Sequence, residues 1–172
     1  ELVQGTYVQQ TFTAKIQRLE SVSVQWGTYY RANTGTVTMA LYSGEELLGQ
    51  QTFDAVAITE GGVTTLTFDT PLEGLVTVPL TLRLWADSTP GSAVSPMMNT
   101  STAQEEGFSL DLNGSAAAGT LCFSAGGEDY IWTGLHYWEF AAAFGLLLAS
   151  YLFWSYKRWQ QGKPSALAKA VV

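Results

Sequence analysis

The chain carries little with which to do chemistry or to cross-link itself. Among its 172 residues there is one cysteine, Cys122, so no internal disulfide framework holds the fold. It sits in the short apolar run Thr120-Leu121-Cys122-Phe123, where a small hydrophobe suits the pattern better than a reactive thiol. There is one histidine, His136, beside an apolar run near the C-terminus. The segment before it therefore offers no Ser-His or Cys-His pair for nucleophilic catalysis and no Cys/His cluster for zinc. No glycine-rich loop leads from a strand pattern into a helix pattern, so no phosphate cradle is foreseen. Lys and Arg number 8 against 15 Asp and Glu, a net charge of −7 that excludes the basic footprint of a nucleic-acid binder. No catalytic residue, metal or cofactor is expected from this segment.

What the chain does have is one long apolar run, Leu135 to Tyr156, reading LHYWEFAAAFGLLLASYLFWSY. At about 1.5 Å of rise per residue it spans roughly 33 Å, close to the hydrocarbon core of a bilayer. Tyr137 and Trp138 stand at one end, and Tyr151, Trp154, Tyr156 and Trp159 at the other, as an interfacial belt requires. Lys157 and Arg158 follow at once. The segment through Glu139 carries a net −11 and the tail beyond it +4 with no acid. Because Lys and Arg are retained on the cytoplasmic side, the tail is expected inside and the acidic domain outside, in the cell membrane with the lipid bilayer as first partner. Glu139 lies at the outer interface, where it stays hydrated. Ala141, Gly145 and Ala149, spaced by four, form a small-residue face against which other transmembrane helices can pack. Glu1-Leu2-Val3-Gln4 shows no basic or apolar signal region, so an outside domain implies either a removed signal or, the reading favoured here, an excised piece of a multi-spanning protein. The domains expected are an extracytoplasmic β-sandwich at 1–130, a transmembrane helix at 131–159 and a basic cytoplasmic tail at 160–172.

Before the span the pattern is short runs of period two, rich in Val, Thr, Tyr, Phe and Leu. Strands are expected at Tyr7–Thr13, anchored by Tyr7 and Phe12; at Leu19–Tyr29; around Val37, Met39 and Leu41; and at Leu47–Phe53. Others are expected at Thr64–Thr70, at Val76–Trp85 with Val78, Leu80, Leu82 and Leu84 inward, around Phe108, Leu110 and Leu112, and at Leu121–Phe123. Turn residues fall between them: Asn33-Thr34-Gly35, Ser43-Gly44, Gly61-Gly62, Thr89-Pro90-Gly91 and Asn113-Gly114. Ser88–Glu106 reads as a long surface loop, Ser115–Gly119 as a flexible stretch, and Gly126–Thr133 as a short link to the membrane. The fold class is all-β, an antiparallel two-sheet sandwich of jelly-roll type followed by a single transmembrane α-helix.

Two acidic pairs, Glu45-Glu46 and Glu105-Glu106, are adjacent carboxylates of the kind a glycosidase uses, but their polar, turn-like surroundings suit solvated surface charge. Asp54, Asp69 and Asp87 near strand ends leave a structural Ca²⁺ open. The most distinctive string is Gln25-Trp26-Gly27-Thr28-Tyr29-Tyr30-Arg31-Ala32-Asn33-Thr34-Gly35. Exposed aromatics stack on sugar faces while Arg and Asn bond hydroxyls, so Trp26, Tyr29, Tyr30, Arg31 and Asn33 are the candidate ligand-binding residues. The competing reading makes Trp26 and Tyr29 core residues, has Asn33 accept a positive φ in a plain turn, and gives Arg31 a carboxylate partner.

This string, with Gln10-Thr11-Phe12 before it and Thr36-Val37-Thr38-Met39-Ala40-Leu41-Tyr42 and Gly44 after it, resembles an extracytoplasmic β-sandwich of bacterial multi-spanning membrane proteins. Thr64-Thr65-Leu66-Thr67-Phe68, Pro71-Leu72 and Leu80-Thr81-Leu82-Arg83-Leu84 continue the outline, and a return helix closes it. The resemblance covers about residues 5–160. It implies a module of an envelope-polysaccharide protein or a polyprenyl-sugar-dependent glycosyltransferase, with any active site outside this chain. The function expected is non-catalytic: a membrane-anchored module that positions or recognises cell-envelope glycan or a protein partner near the bilayer.

Overall fold

Alternation of side chains decides which residues of each strand reach the core. In the computed structural model, which describes residues 1–100, 107–128 and 137–161, twelve strands precede one helix. They are β1 (Tyr7–Thr13), β2 (Arg18–Gly27), β3 (Thr36–Ser43), β4 (Glu46–Asp54), β5 (Val63–Glu73), β6 (Pro79–Ala86), β7 (Ser95–Pro96), β8 (Met98–Asn99), β9 (Ser109–Leu112), β10 (Ser115–Ala117), β11 (Thr120–Leu121) and β12 (Phe123–Glu128), followed by α1 (Tyr137–Gln160). A six-stranded sheet runs β10-β9-β1-β6-β3-β4 and a second runs β12-β2-β5; β11 pairs β8, and β7 adds to the end of β2. Every pairing among these strands is antiparallel. The chain divides at Asp129/Tyr130 into two compact units, and the sandwich is the first.

The core lies between the two sheets. Val8, Phe12, Val37, Met39, Leu41, Leu80, Leu82, Leu84 and Leu110 come from the large sheet, and Leu19, Val22, Val24, Trp26 and Leu66 from the small one. Each such apolar side chain contributes about 1.5–3 kcal/mol relative to leaving it exposed. In β2 the step from Leu19 to Val22 breaks the period of two, and a bulge explains it. Register shifts at Glu20 against both neighbours, by one residue on the β12 side and by three on the β5 side, and Leu19 and Val22 face the same side. On the β5 side the irregularity covers Phe68 to Pro71, where proline has no N–H to give a ladder. On the β12 side it falls at Gly126/Gly127, where a Cβ on Gly127 would lie 1.9 Å from the Arg18 carbonyl oxygen.

Several sequence expectations need correction. Tyr7 and Phe12 cannot both anchor β1, because an odd spacing puts them on opposite faces; the core face is Val8, Gln10 and Phe12. β2 ends at Gly27 rather than Tyr29, where the chain enters a turn with positive φ. β6 starts at Pro79, since Leu75 to Val78 form a turn in which Val78 N–H donates to the Leu75 carbonyl at 3.0 Å and Thr77 has φ of 71°. Ser88–Glu106 is not a plain surface loop: Ala93 and Val94 are fully buried, Leu2 N–H donates to the Val94 carbonyl at 2.8 Å, and β7 and β8 follow. Ser115–Ala117 is a strand, turned back on β9 by Asn113-Gly114. Gly126–Glu128 continues β12; the rest of the expected link, from 129 onward, lies outside the described residues. Cys122 is half-buried rather than core, with its backbone bridging Met97 and Gln25.

α1 is long and apolar enough to cross a membrane, its most apolar 18 residues having a mean hydropathy of 1.2. Its expected start at Leu135 and His136, and the tail from 162, lie outside the described residues.

Candidate functional site

The end of β2 and the turn that follows it carry the five residues singled out as ligand contacts, and the structure separates them. Trp26 is fully buried, its indole N–H donating to Thr64 Oγ1 at 2.7 Å, so it is a core residue. Asn33 is also buried, at 4% exposure, and its Nδ2 donates back to the Arg31 carbonyl at 3.2 Å, while Oδ1 has no protein partner. It does not take a positive φ; Tyr29 and Tyr30 do, at 56° and 55°. Left-handed backbone costs an L-residue roughly 1–2 kcal/mol, and a tyrosine cannot offset it with a local side-chain bond as asparagine does.

The carboxylate of Glu60 holds that turn. The Thr28 N–H donates to Glu60 Oε2 at 2.6 Å, and the Thr28 hydroxyl donates to the same oxygen at 2.9 Å. Led by the Thr28 N–H, then the Thr28 hydroxyl and the N–H groups of Tyr30 and Tyr29, these donors hold the Glu60 carboxyl below its ordinary range against a smaller opposing effect of burial. Successive N–H groups in a left-handed turn form a concavity for an anion, and Glu60 fills it.

Arg31 is tied down as well. Its Nη2 donates to the Glu1 side chain and, at 2.9 Å, to the Ala93 carbonyl, and its guanidinium lies 4.9 Å from the Tyr29 ring centroid. Glu1 Oε2 also accepts from the Gly91 N–H at 3.0 Å; that bond first, and Arg31 second, lower the Glu1 carboxyl. Gly35, with φ of 86°, closes the turn where a Cβ would stand 2.6 Å from Asp87 Oδ1. Only Tyr30, 90% exposed, and Tyr29, 57% exposed, remain open to a ligand alongside the edge of Arg31.

On α1, Trp138 and Glu139 lie in the first turn and Lys157 and Arg158 in the last. Tyr137 begins the helix; its side chain lies outside the described residues. The Arg158 guanidinium sits 4.3 Å from the Trp154 ring and the Lys157 ammonium 5.7 Å from Phe153. Ala141, Gly145 and Ala149 are all exposed. Among the described residues no group of three or more His, Cys, Asp or Glu is placed to hold a metal ion. Asp54 instead caps a 3-10 turn through Val56 N–H at 2.9 Å, and Asp87 accepts from Thr36 N–H at 2.5 Å.

A second surface was missed by the sequence reading. On the outer face of the six-stranded sheet, Tyr7, Tyr42, Arg83 and Trp85 line a concavity of about 380 Å³. The signal was present: with Leu82 and Leu84 inward, Arg83 and Trp85 must point out, and so must Tyr7 if Val8 points in.

No family model matches the chain, and no curated protein matches it.

Proposed function

We propose that the chain is a non-catalytic, membrane-anchored module of a larger cell-envelope protein, whose β-sandwich stands outside the membrane and recognises glycan close to it. The observation that carries this reading is α1 itself. Over its length Phe140, Phe144, Leu146, Leu147, Leu152 and Phe153 each expose more than half of their surface, far more contiguous apolar area than a soluble helix leaves to water. Lipid or neighbouring helices must cover it. The Lys157-Arg158 pair and the acid-free tail support an inside C-terminus.

The test is membrane topology in intact bacteria. The chain should resist alkaline carbonate extraction. A cysteine placed as Ser165→Cys, with Cys122→Ser, should react with an impermeant maleimide only after lysis. Release by carbonate, or labelling of that cysteine in intact cells, would reject the reading.

A further inference from the structure

We propose that the outer face of the six-stranded sheet, centred on Arg83, binds a saccharide that carries a carboxylate. The inference rests on the glycan-recognition reading above and adds a place and a ligand class to it.

The domain's arginines differ in what they bind. Arg18 pairs with Glu73 at 3.3 Å and with Glu128 at 2.8 Å, and Arg31 pairs with Glu1. Arg83 makes no ion pair among the described residues, although it sits in a segment of net charge −11. Its guanidinium instead lies 4.3 Å from the centroid of the Tyr7 ring. That contact fixes the plane of the fork while its N–H edge stays free. An arginine held this way is ready for bidentate bonding to a carboxylate.

Its neighbours complete a platform. Trp85 stands directly across from Tyr7, and Gln9 directly across from Arg83. On the other side Arg83 faces Ala40, and Tyr42 lies two positions along the same strand. Ala40 is the one small side chain in this group and is itself fully buried, so the larger residues rise around it. Opposed residues on one face are about 4.5–5.5 Å apart at Cβ, so these side chains share one site the size of a sugar ring or two.

The unspent hydrogen-bonding capacity leans toward donors. Among the described residues the side chains of Gln9, Tyr42, Arg83 and Trp85 make no hydrogen bond to protein, whereas Gln10, Gln25, Trp26 and Arg31 all do. The indole and the guanidinium can only donate, while the phenol and the amide can each donate and accept. A donor-rich, cationic surface walled by aromatic rings selects an acceptor-rich, anionic ligand with an apolar face. A uronic acid residue has all three: ring hydroxyls, a carboxylate, and a C–H face that lies flat on Trp85 or Tyr7.

The experiment is a calorimetric titration of the full chain in detergent micelles with tetragalacturonic acid, its methyl ester, and the neutral tetrasaccharide cellotetraose. Expected are binding of the free acid, at least tenfold weaker binding of the ester, and at least a tenfold loss in Arg83→Gln with an unchanged melting temperature. Arg83 is exposed, so this variant tests the site without disturbing the core. Trp85→Ala should weaken binding similarly. Equal binding of acid, ester and cellotetraose, or full binding by Arg83→Gln, would overturn the acidic site while leaving glycan recognition standing. Binding of no saccharide would overturn both.

Discussion

Gln10 Oε1 accepts a hydrogen bond of 3.0 Å from the backbone N–H of Leu121, across 111 residues of chain. Gln10 is fully buried, on the core face of β1 between Val8 and Phe12. Its Nε2 donates to the carbonyls of Ser109 and Thr11, each at 3.0 Å. One amide thus satisfies backbone groups of β1, β9 and the short strand β11, which pairs with β8. Orphaning a buried backbone group costs about 1–3 kcal/mol. Gln10→Ala, which orphans the Leu121 N–H and leaves a cavity, should lower stability by about 3 kcal/mol by urea unfolding. Gln10→Glu should be worst at neutral pH and partly recover near pH 4, where a protonated carboxyl can again both donate and accept. A Gln10→Ala chain as stable as wild type would contradict this role.

The Glu60 carboxyl is held below its ordinary 4.5 by the donors of the Thr28–Tyr30 turn. A depressed carboxylate stabilises the fold above its unfolded pKa, and that contribution disappears as pH falls through the lower folded value. Glu60→Gln should therefore melt below wild type at pH 7, and the two curves should converge as pH drops from about 5 toward 3. A gap that stays constant over that range would show that the charge is not what holds the turn.

Tyr30 combines a left-handed backbone with a side chain that is 90% exposed. Nothing in the fold needs a tyrosine there, and glycine would adopt the same φ freely. Tyr30→Gly should gain about 1 kcal/mol, a rise of a few degrees in melting temperature. Such a gain marks strain kept for contact with something outside the domain. Loss of stability on this substitution would instead assign Tyr30 a structural job.

How much of this was legible in the sequence follows the range of the interactions. Strands such as Tyr7–Thr13 and Thr36–Ser43 announce themselves by alternation, which is local. The bulge at Glu20 shows only as an odd step from Leu19 to Val22, and its cause lies in β5 and β12, distant in the chain. Ala93 and Val94 look like loop residues because small side chains carry a weak pattern; Leu2 and Arg31 turn them into core. The burial of two of the five candidate residues was hidden for a similar reason. Trp26 and Asn33 stand in a string that reads equally as an exposed binding edge or as core and turn, and only their partners, Thr64 and the Arg31 carbonyl, decide that they lie inside. Arg83, meanwhile, sat inside a hydrophobic strand and looked like mere alternation.

The membrane reading can be tested by depth along α1. Even its most apolar 18 residues have a mean hydropathy of only 1.2, modest for a span, because the interfacial aromatics dilute the central Leu and Ala residues. A helix this close to balance is sensitive to one central charge. Replacing leucine by lysine at a helix centre shifts insertion by about 3 kcal/mol, while near the ends a lysine snorkels to the headgroups at little cost. Leu147, 70% exposed and near mid-helix, is the sensitive position. Leu147→Lys should move much of the chain into the carbonate-extractable fraction. Trp154→Lys, one turn from Lys157 and Arg158, should leave it in the membrane pellet. If instead α1 is covered by another protein's surface at the membrane edge, both variants should be extracted alike, or neither, because depth in a bilayer would not distinguish them.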